Sequence, residues 1–216
     1  QNYKTDTLCV QGSYQPGSGD PRVIPIVQST TFSYDDADYV ADLFDLKAGG
    51  PFYTRLGNPT TSHFEGKVAL LENGVGALAT SSGQSASLFS IINICNAGDH
   101  VISSASIYGG TFNLFDVSLR KLGISFSFVR PDAEIDEILA CAQPNTKAVF
   151  GETLANPRLT VLNFEKFAAA ARQLDVPLIV DNTLATPCLC QPLSHGANIV
   201  VHSATKYIDG HATSVG

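Results

Sequence analysis

Ser203-Ala204-Thr205-Lys206 follows the apolar run Ile199-Val200-Val201, so a lysine flanked by hydroxyls sits just beyond a buried strand. In a dry site a lysine loses its proton more readily, because desolvation disfavours the ammonium. The neutral amine can then attack an aldehyde and form a Schiff base. Asp181 ends a second apolar run, Pro177-Leu178-Ile179-Val180. A lysine and a carboxylate at the ends of two buried strands suit pyridoxal 5'-phosphate (PLP): Lys206 holds the aldehyde and Asp181 keeps the pyridine nitrogen protonated. Each residue alone also fits a plainer role, a surface lysine after an edge strand or an aspartate capping a helix.

Other segments converge on the same chemistry. Ser81-Ser82-Gly83-Gln84 lies between a strand-like stretch and a helix. Backbone N–H groups at a helix N-terminus attract an anion, Gly83 permits close approach and the serine hydroxyls add donors. Tyr108-Gly109-Gly110 follows another strand, where an aromatic ring can stack on a flat cofactor. Asn156-Pro157 comes after Glu152-Thr153-Leu154-Ala155 and offers an amide to a ring hydroxyl. Tyr53-Thr54-Arg55 brings a guanidinium suited to bidentate phosphate contact. The plainer roles are an N-cap, a core tyrosine, a turn and a surface salt bridge.

These residues need a scaffold that presents several strand ends together. From about residue 62 the pattern alternates between helices and strands. Ser62 caps a predicted helix over 63–73, with Glu65 completing a capping box and Gly74 as the stop. Further helices are predicted over 84–95, 110–122, 133–141 and after Asn163, where Phe164, Phe167, Ala168, Ala171 and Leu174 share a face. Strands are predicted at 76–80, 100–103, 124–129, 148–152, 178–181 and 199–202. Apolar strands separated by helices indicate an α/β fold with a mostly parallel sheet covered on both faces. Ligands bind such sheets at the carboxyl ends of the strands. Residues 1–60 are rich in turn formers and read as an extended N-terminal arm, leaving 61–216 as the cofactor-binding domain.

Composition narrows the classes. Of 216 residues 44% are hydrophobic and 15% charged, which describes a core-rich globular chain. The net charge of -7 comes without a basic run, so no nucleic-acid partner is expected. No apolar stretch is long enough to span a membrane, and the polar start is not a signal peptide. Five cysteines, an odd number, point to reduced thiols and a cytoplasmic location. Cys188-x-Cys190 has no second ligand pair at suitable spacing, and no metal is expected.

Taken in order, Tyr53-Thr54-Arg55 with Asn58-Pro59-Thr60, Ser81-Ser82-Gly83-Gln84, Tyr108-Gly109-Gly110-Thr111, Glu152-Thr153-x-x-Asn156-Pro157, Asp181-Asn182-Thr183 and His202-Ser203-Ala204-Thr205-Lys206 resemble the PLP enzymes of cysteine and methionine metabolism. The resemblance spans nearly the whole chain. It implies a fold-type-I, aminotransferase-like architecture and a homotetramer of catalytic dimers, with Tyr53 and Arg55 reaching a neighbouring subunit's phosphate site. It implies that Gly83, Gln84, Ser203 and Thr205 hold the phosphate within the subunit, and that Ser82, Glu152, Asn156 and Thr183 complete the cofactor-binding set. Tyr108 would stack on the ring and assist proton transfer, Asp181 would pair with the ring nitrogen, and Lys206 would be the Schiff-base lysine. The catalytic residues are then Lys206, Tyr108 and Asp181.

Within that family, Gly110 stands where methionine γ-lyases carry cysteine, and the 108–115 and 207–214 segments resemble the sulfhydrylases. The expected reaction is γ-replacement, in which O-acetyl-L-homoserine and sulfide or a thiol give homocysteine or methionine and acetate. The alternatives are γ-elimination, as in methionine γ-lyase or cystathionine lyase, and a non-catalytic protein retaining a PLP-like pocket. The resemblance also implies a further C-terminal domain bearing an arginine for the substrate carboxylate.

Overall fold

A computed structural model describes residues 3–216, which separate into one compact unit ending at Ala79 and a second spanning Thr80–Gly216. The first unit holds α1 (Thr5–Gln11), α2 (Ala37–Phe44) and α3 (Pro59–Glu72). The first two replace part of what reads as loop in the sequence. Helix α3 begins earlier than predicted: the Asn58 side chain, not Ser62, accepts from the backbone N–H of Thr60, and Pro59 opens the helix. Proline suits that position because its missing N–H has no helical partner there. Glu65 makes no capping box; it accepts from the backbone N–H of Ala79 at 2.8 Å. Residues 76–80 form no strand. The unit extends past residue 60 because α3 is fastened to the α1 region. Lys67 Nζ donates to the Cys9 carbonyl at 3.0 Å and Ser13 Oγ donates to the His63 carbonyl at 2.8 Å.

The second unit begins with α4 (Gly83–Ile92) and is built on strands β1 (His100–Ser104), β2 (Ser125–Val129), β3 (Thr146–Glu152), β4 (Leu178–Asp181) and β5 (Ile199–Val201). They run parallel in the order β2-β1-β3-β4-β5. Successive side chains of a strand point to opposite faces, and both faces are filled. Ile102, Val149, Leu178 and Val180 pack with Phe167, Ala168 and Ala171 of α7 (Phe164–Gln173) on one side. Val101, Ala148, Phe150 and Ile179 pack with Ile91, Phe115 and Leu119 on the other.

The predicted helix 110–122 is three pieces. The helix α5 (Gly109–Asn113) passes into a widened π turn at Leu114–Ser118 and a 3₁₀ turn at Leu119–Leu122. Gly123 stops it with φ 83°, a left-handed conformation that glycine adopts without strain. The wide turn seats Phe115 parallel to Phe126 at 4.7 Å and edge-on to Phe150 at 4.9 Å. Two shorter helices, α6 (Ile135–Ala140) and α8 (Thr186–Leu189), complete the unit.

The amino ends of the strands are held by His100, whose Nδ1 meets Thr146 Oγ1 at 2.8 Å and whose Nε2 meets Ser127 Oγ at 2.9 Å. Burial lowers its pKa and keeps the ring neutral at physiological pH. The carboxyl ends, all on the opposite edge, carry the chemistry.

Candidate active site

Because every strand runs the same way, residues that close β1, β3, β4 and β5 meet along one edge. Asp181 and Glu152 are the last residues of β4 and β3 and are partners in register. Ser203 to Lys206 follow β5, Tyr108 follows β1, and α4 points its first turn at the segment after β5. An added Cβ on Gly83 would lie 2.5 Å from Ser203 Cβ and 2.7 Å from Ser203 Cα. Only glycine permits that approach, which leaves the first-turn N–H groups of α4 beside Ser203. Those groups have no carbonyl one turn back to bond, and the arrangement fits an anion. The Ser82 hydroxyl serves α4 itself, accepting from the backbone N–H of Ser85 at 3.2 Å.

Gly83→Ala should therefore force backbone apart. We expect stability to fall by about 1–3 kcal/mol, as for other overpacked sites, together with weaker binding of phosphate-bearing cofactor. Thermal unfolding and PLP titration of the full-length protein measure both. An unchanged PLP affinity would remove this helix end from the phosphate site.

Asp181 is fixed by its neighbours. Its Oδ1 accepts from the Thr183 backbone N–H at 3.0 Å and from Thr183 Oγ1 at 2.6 Å. Thr183 Oγ1 in turn accepts from the Ser203 backbone N–H at 2.8 Å. Thr183 thus links the carboxylate to the segment after β5, a relay that local sequence pattern does not disclose. Burial raises the Asp181 pKa, opposed by the Thr183 hydrogen bonds and by His202. Among the described residues no lysine or arginine forms an ion pair with it. A partly buried carboxylate held in this way is suited to a cationic ring nitrogen.

Glu152 is 4% exposed. Its Oε2 accepts the Tyr108 backbone N–H at 2.6 Å. Burial, and next the charge of Asp181, push its pKa up to about 8. Tyr108 is half exposed at the start of α5, with its ring 2.5 Å from where a Gly110 Cβ would be. Gly110 therefore leaves room for the ring. Gln84 Nε2, also close to Gly110, donates to Thr111 Oγ1 at 3.2 Å. Thr111 is a partner the sequence reading missed; the only local signal is a hydroxyl just inside a helix start.

Lys206 lies in a turn several residues past β5, where the Lys206 N–H donates to the Ser203 carbonyl at 3.2 Å, and its side chain is exposed in the described residues. Thr205 Oγ1 donates to the Gly216 carbonyl at 3.0 Å and accepts the Gly216 N–H at 2.9 Å. Asn156, joined to Pro157 by a cis bond, is exposed. In the first unit, Arg55 Nη2 donates to Tyr53 Oη at 3.1 Å, with the guanidinium 5.0 Å from the ring centroid. That pair presents two anion-seeking donors from one turn.

The residues after the strands thus fit PLP: a glycine-admitted helix end for the phosphate, an aromatic ring, a cation-seeking carboxylate and an accessible amine. A family model described as Cys/Met metabolism PLP-dependent enzyme matches residues 6–216. The chain is similar to an O-acetyl-L-homoserine sulfhydrylase from Leptospira meyeri, 43% identical over 220 residues that cover 100% of this chain and 49% of the relative. It is similar to an O-acetyl-L-homoserine sulfhydrylase from Corynebacterium glutamicum, 47% identical over 195 residues that cover 90% of this chain and 45% of the relative. A crystal structure from Campylobacter jejuni, assigned as an O-acetylhomoserine (thiol)-lyase and containing N'-pyridoxyl-lysine-5'-monophosphate, matches with a TM-score of 0.94 and 34% identity. That match covers 99% of this chain and 52% of the other. The chain spans about half the length of the curated relatives it matches.

Proposed function

The chain belongs to the Cys/Met metabolism PLP-dependent enzyme family and has its fold-type-I α/β architecture, and on that premise we propose that it serves an O-acetyl-L-homoserine sulfhydrylase. The reaction is γ-replacement: sulfide or a thiol takes the place of the acetate of O-acetyl-L-homoserine, giving homocysteine or methionine. One observation carries the reading, the Asp181 carboxylate locked by Thr183 at the strand edge that Lys206 follows. The names of the similar proteins support the choice of substrate.

PLP, when bound, supplies an aldehyde for the substrate amine and a ring that accepts the electrons left when the Cα proton departs. Lys206 would hold the cofactor, then take the proton from Cα once the substrate amine has displaced it. Asp181 would keep the pyridine nitrogen protonated. The α4 first turn at Gly83 and Gln84, with Ser203 and Thr205, would hold the phosphate. Tyr108 would cover the ring and assist proton transfer near the departing acetate. Tyr53 and Arg55 are placed, in this proposal, at the phosphate of a neighbouring subunit within a homotetramer of catalytic dimers. The exposed Arg55 guanidinium, already turned toward Tyr53, supports that role. Among the described residues no helix is long and apolar enough to cross a membrane. The odd number of cysteines, five, suits a reducing compartment, the cytoplasm.

The full-length protein, supplied with PLP and O-acetyl-L-homoserine, should form homocysteine only when sulfide is added. If 2-oxobutyrate is instead the main product, and L-methionine also yields it, the protein is a γ-lyase.

A further inference from the structure

Glu152, which the family resemblance counts among the cofactor-binding residues, is the buried carboxylate to which the proposed reaction gives no chemical step. It ends β3, with Asp181 beside it in register on β4. Its Oε2 accepts the Tyr108 N–H at 2.6 Å. A side chain at the end of β3 therefore fastens the turn that leaves β1. That turn opens α5, carries the Tyr108 ring over Gly110 and sets Thr111 to receive the Gln84 amide. Among the described residues the Tyr108 N–H makes no other hydrogen bond, and Glu152 has no lysine or arginine ion pair. A carboxyl group buried beside another carboxylate is costly to maintain unless it accepts hydrogen bonds that matter. Its donor, the Tyr108 N–H, belongs to a turn that closes the active-site edge.

We propose that Glu152 is a positioning residue, in place of the cofactor contact that the family resemblance implies for it: it sets where the Tyr108 ring lies by holding the Tyr108 turn to the end of β3. The inference rests on the reading of Tyr108 as the residue that covers the PLP ring. Its acceptor oxygen is what counts, not its charge, since burial and Asp181 favour the protonated form at neutral pH. A carboxamide keeps that acceptor and the shape of the side chain, whereas a methyl group removes both.

The test uses the full-length holoenzyme and four variants: Glu152→Gln, Glu152→Ala, Tyr108→Ala and the Glu152→Ala/Tyr108→Ala double variant. The visible circular dichroism of bound PLP is read alongside kcat and KM. Glu152→Gln should stay within about threefold of wild type in kcat and keep the PLP band, as expected when the acceptor survives. Glu152→Ala should retain PLP, weaken the band, and lower kcat by roughly 10–100-fold with a smaller change in KM, the signature of a misplaced group. On the Tyr108→Ala background the same change should cost less than about threefold, because coupled residues are not additive. An equal loss on that background overturns the proposal, as does a Glu152→Gln variant as impaired as Glu152→Ala. Should Glu152→Ala yield no folded protein, Glu152→Gln decides alone: a lost PLP band refutes the clamp and a preserved one supports it. None of these readouts depends on which product forms. The sulfhydrylase reading fails in the product assay, and this one fails in the cycle.

Discussion

Replacing Lys206 with alanine should lower turnover by about 10³-fold or more while leaving the fold intact, the size expected when a covalent nucleophile is removed. The stability half of that expectation follows from its surroundings. Lys206 is exposed, and its side chain appears in none of the hydrogen bonds or ion pairs of the described residues. Surface substitutions of that kind usually stay within about 0.5 kcal/mol. The backbone contacts that shape the turn, from the Lys206 N–H to Ser203 and from the Gly210 N–H to the Lys206 carbonyl at 2.9 Å, survive the change. The functional half follows from chemistry, since alanine has no amine to bind an aldehyde or take a proton. Lys206→Arg should fail almost as badly, because a guanidinium keeps the charge but does not lose its proton. Borohydride reduction of the wild-type holoenzyme followed by peptide mapping gives the direct measurement. The adduct should fall on Lys206; an adduct on any other lysine, or wild-type turnover in Lys206→Ala, refutes the assignment.

The strand ends were legible because buried parallel strands leave an unmistakable signal, short runs such as Leu178-Ile179-Val180 bounded by polar residues. Asp181, Glu152, Tyr108 and Lys206 could be placed on one edge from that pattern alone, since parallel strands share a direction. The helix after Asn163 was equally legible, because its apolar residues repeat at helical spacing. Relations between strand ends were not. Thr183 reaches both Asp181 and Ser203, and Glu152 reaches the Tyr108 turn 44 positions away in sequence. Such bonds are set by which strands are neighbours, an outcome of β3 lying between β1 and β4. The start of α3 was not legible, for a different reason. Asn58-Pro59 and Ser62 both carry capping chemistry, and the choice between them fell to tertiary contacts: the Asn58 amide also donates to the Val27 carbonyl at 2.9 Å. The π turn at Leu114–Ser118 has no local sequence signal of this kind, because the partners of Phe115 lie on β2 and β3.

Asp181→Asn separates charge from scaffold, and its two expected effects run in opposite directions. Asparagine keeps an oxygen to accept from the Thr183 N–H and hydroxyl, so the Asp181–Thr183–Ser203 chain should persist. What disappears is a carboxylate whose pKa burial has raised. A carboxyl group with a raised folded pKa favours folding most below its unfolded pKa, near 3.9. That contribution is lost as pH rises through the folded value. At neutral pH the ligand-free protein therefore bears a cost that Asp181→Asn removes. We expect its unfolding midpoint without PLP to rise by roughly 1–3 °C, a gain of order 1 kcal/mol for a protein of this size. Turnover should fall by about 10²–10³-fold, because a neutral amide cannot keep the ring nitrogen protonated as charge develops. Asp181→Ala should lose activity at least as severely and bind PLP more weakly, since it also releases Thr183. Glu152 supplies an internal check. The charge of Asp181 is the second contributor to its raised pKa, after burial, so that pKa should move down in Asp181→Asn. A protein that becomes more stable empty and inactive when loaded holds its carboxylate for the cofactor, a trade of stability for function. If Asp181→Asn instead destabilised the ligand-free protein and left turnover unchanged, Asp181 would be a structural cap, and the carboxylate for the ring nitrogen would have to lie elsewhere.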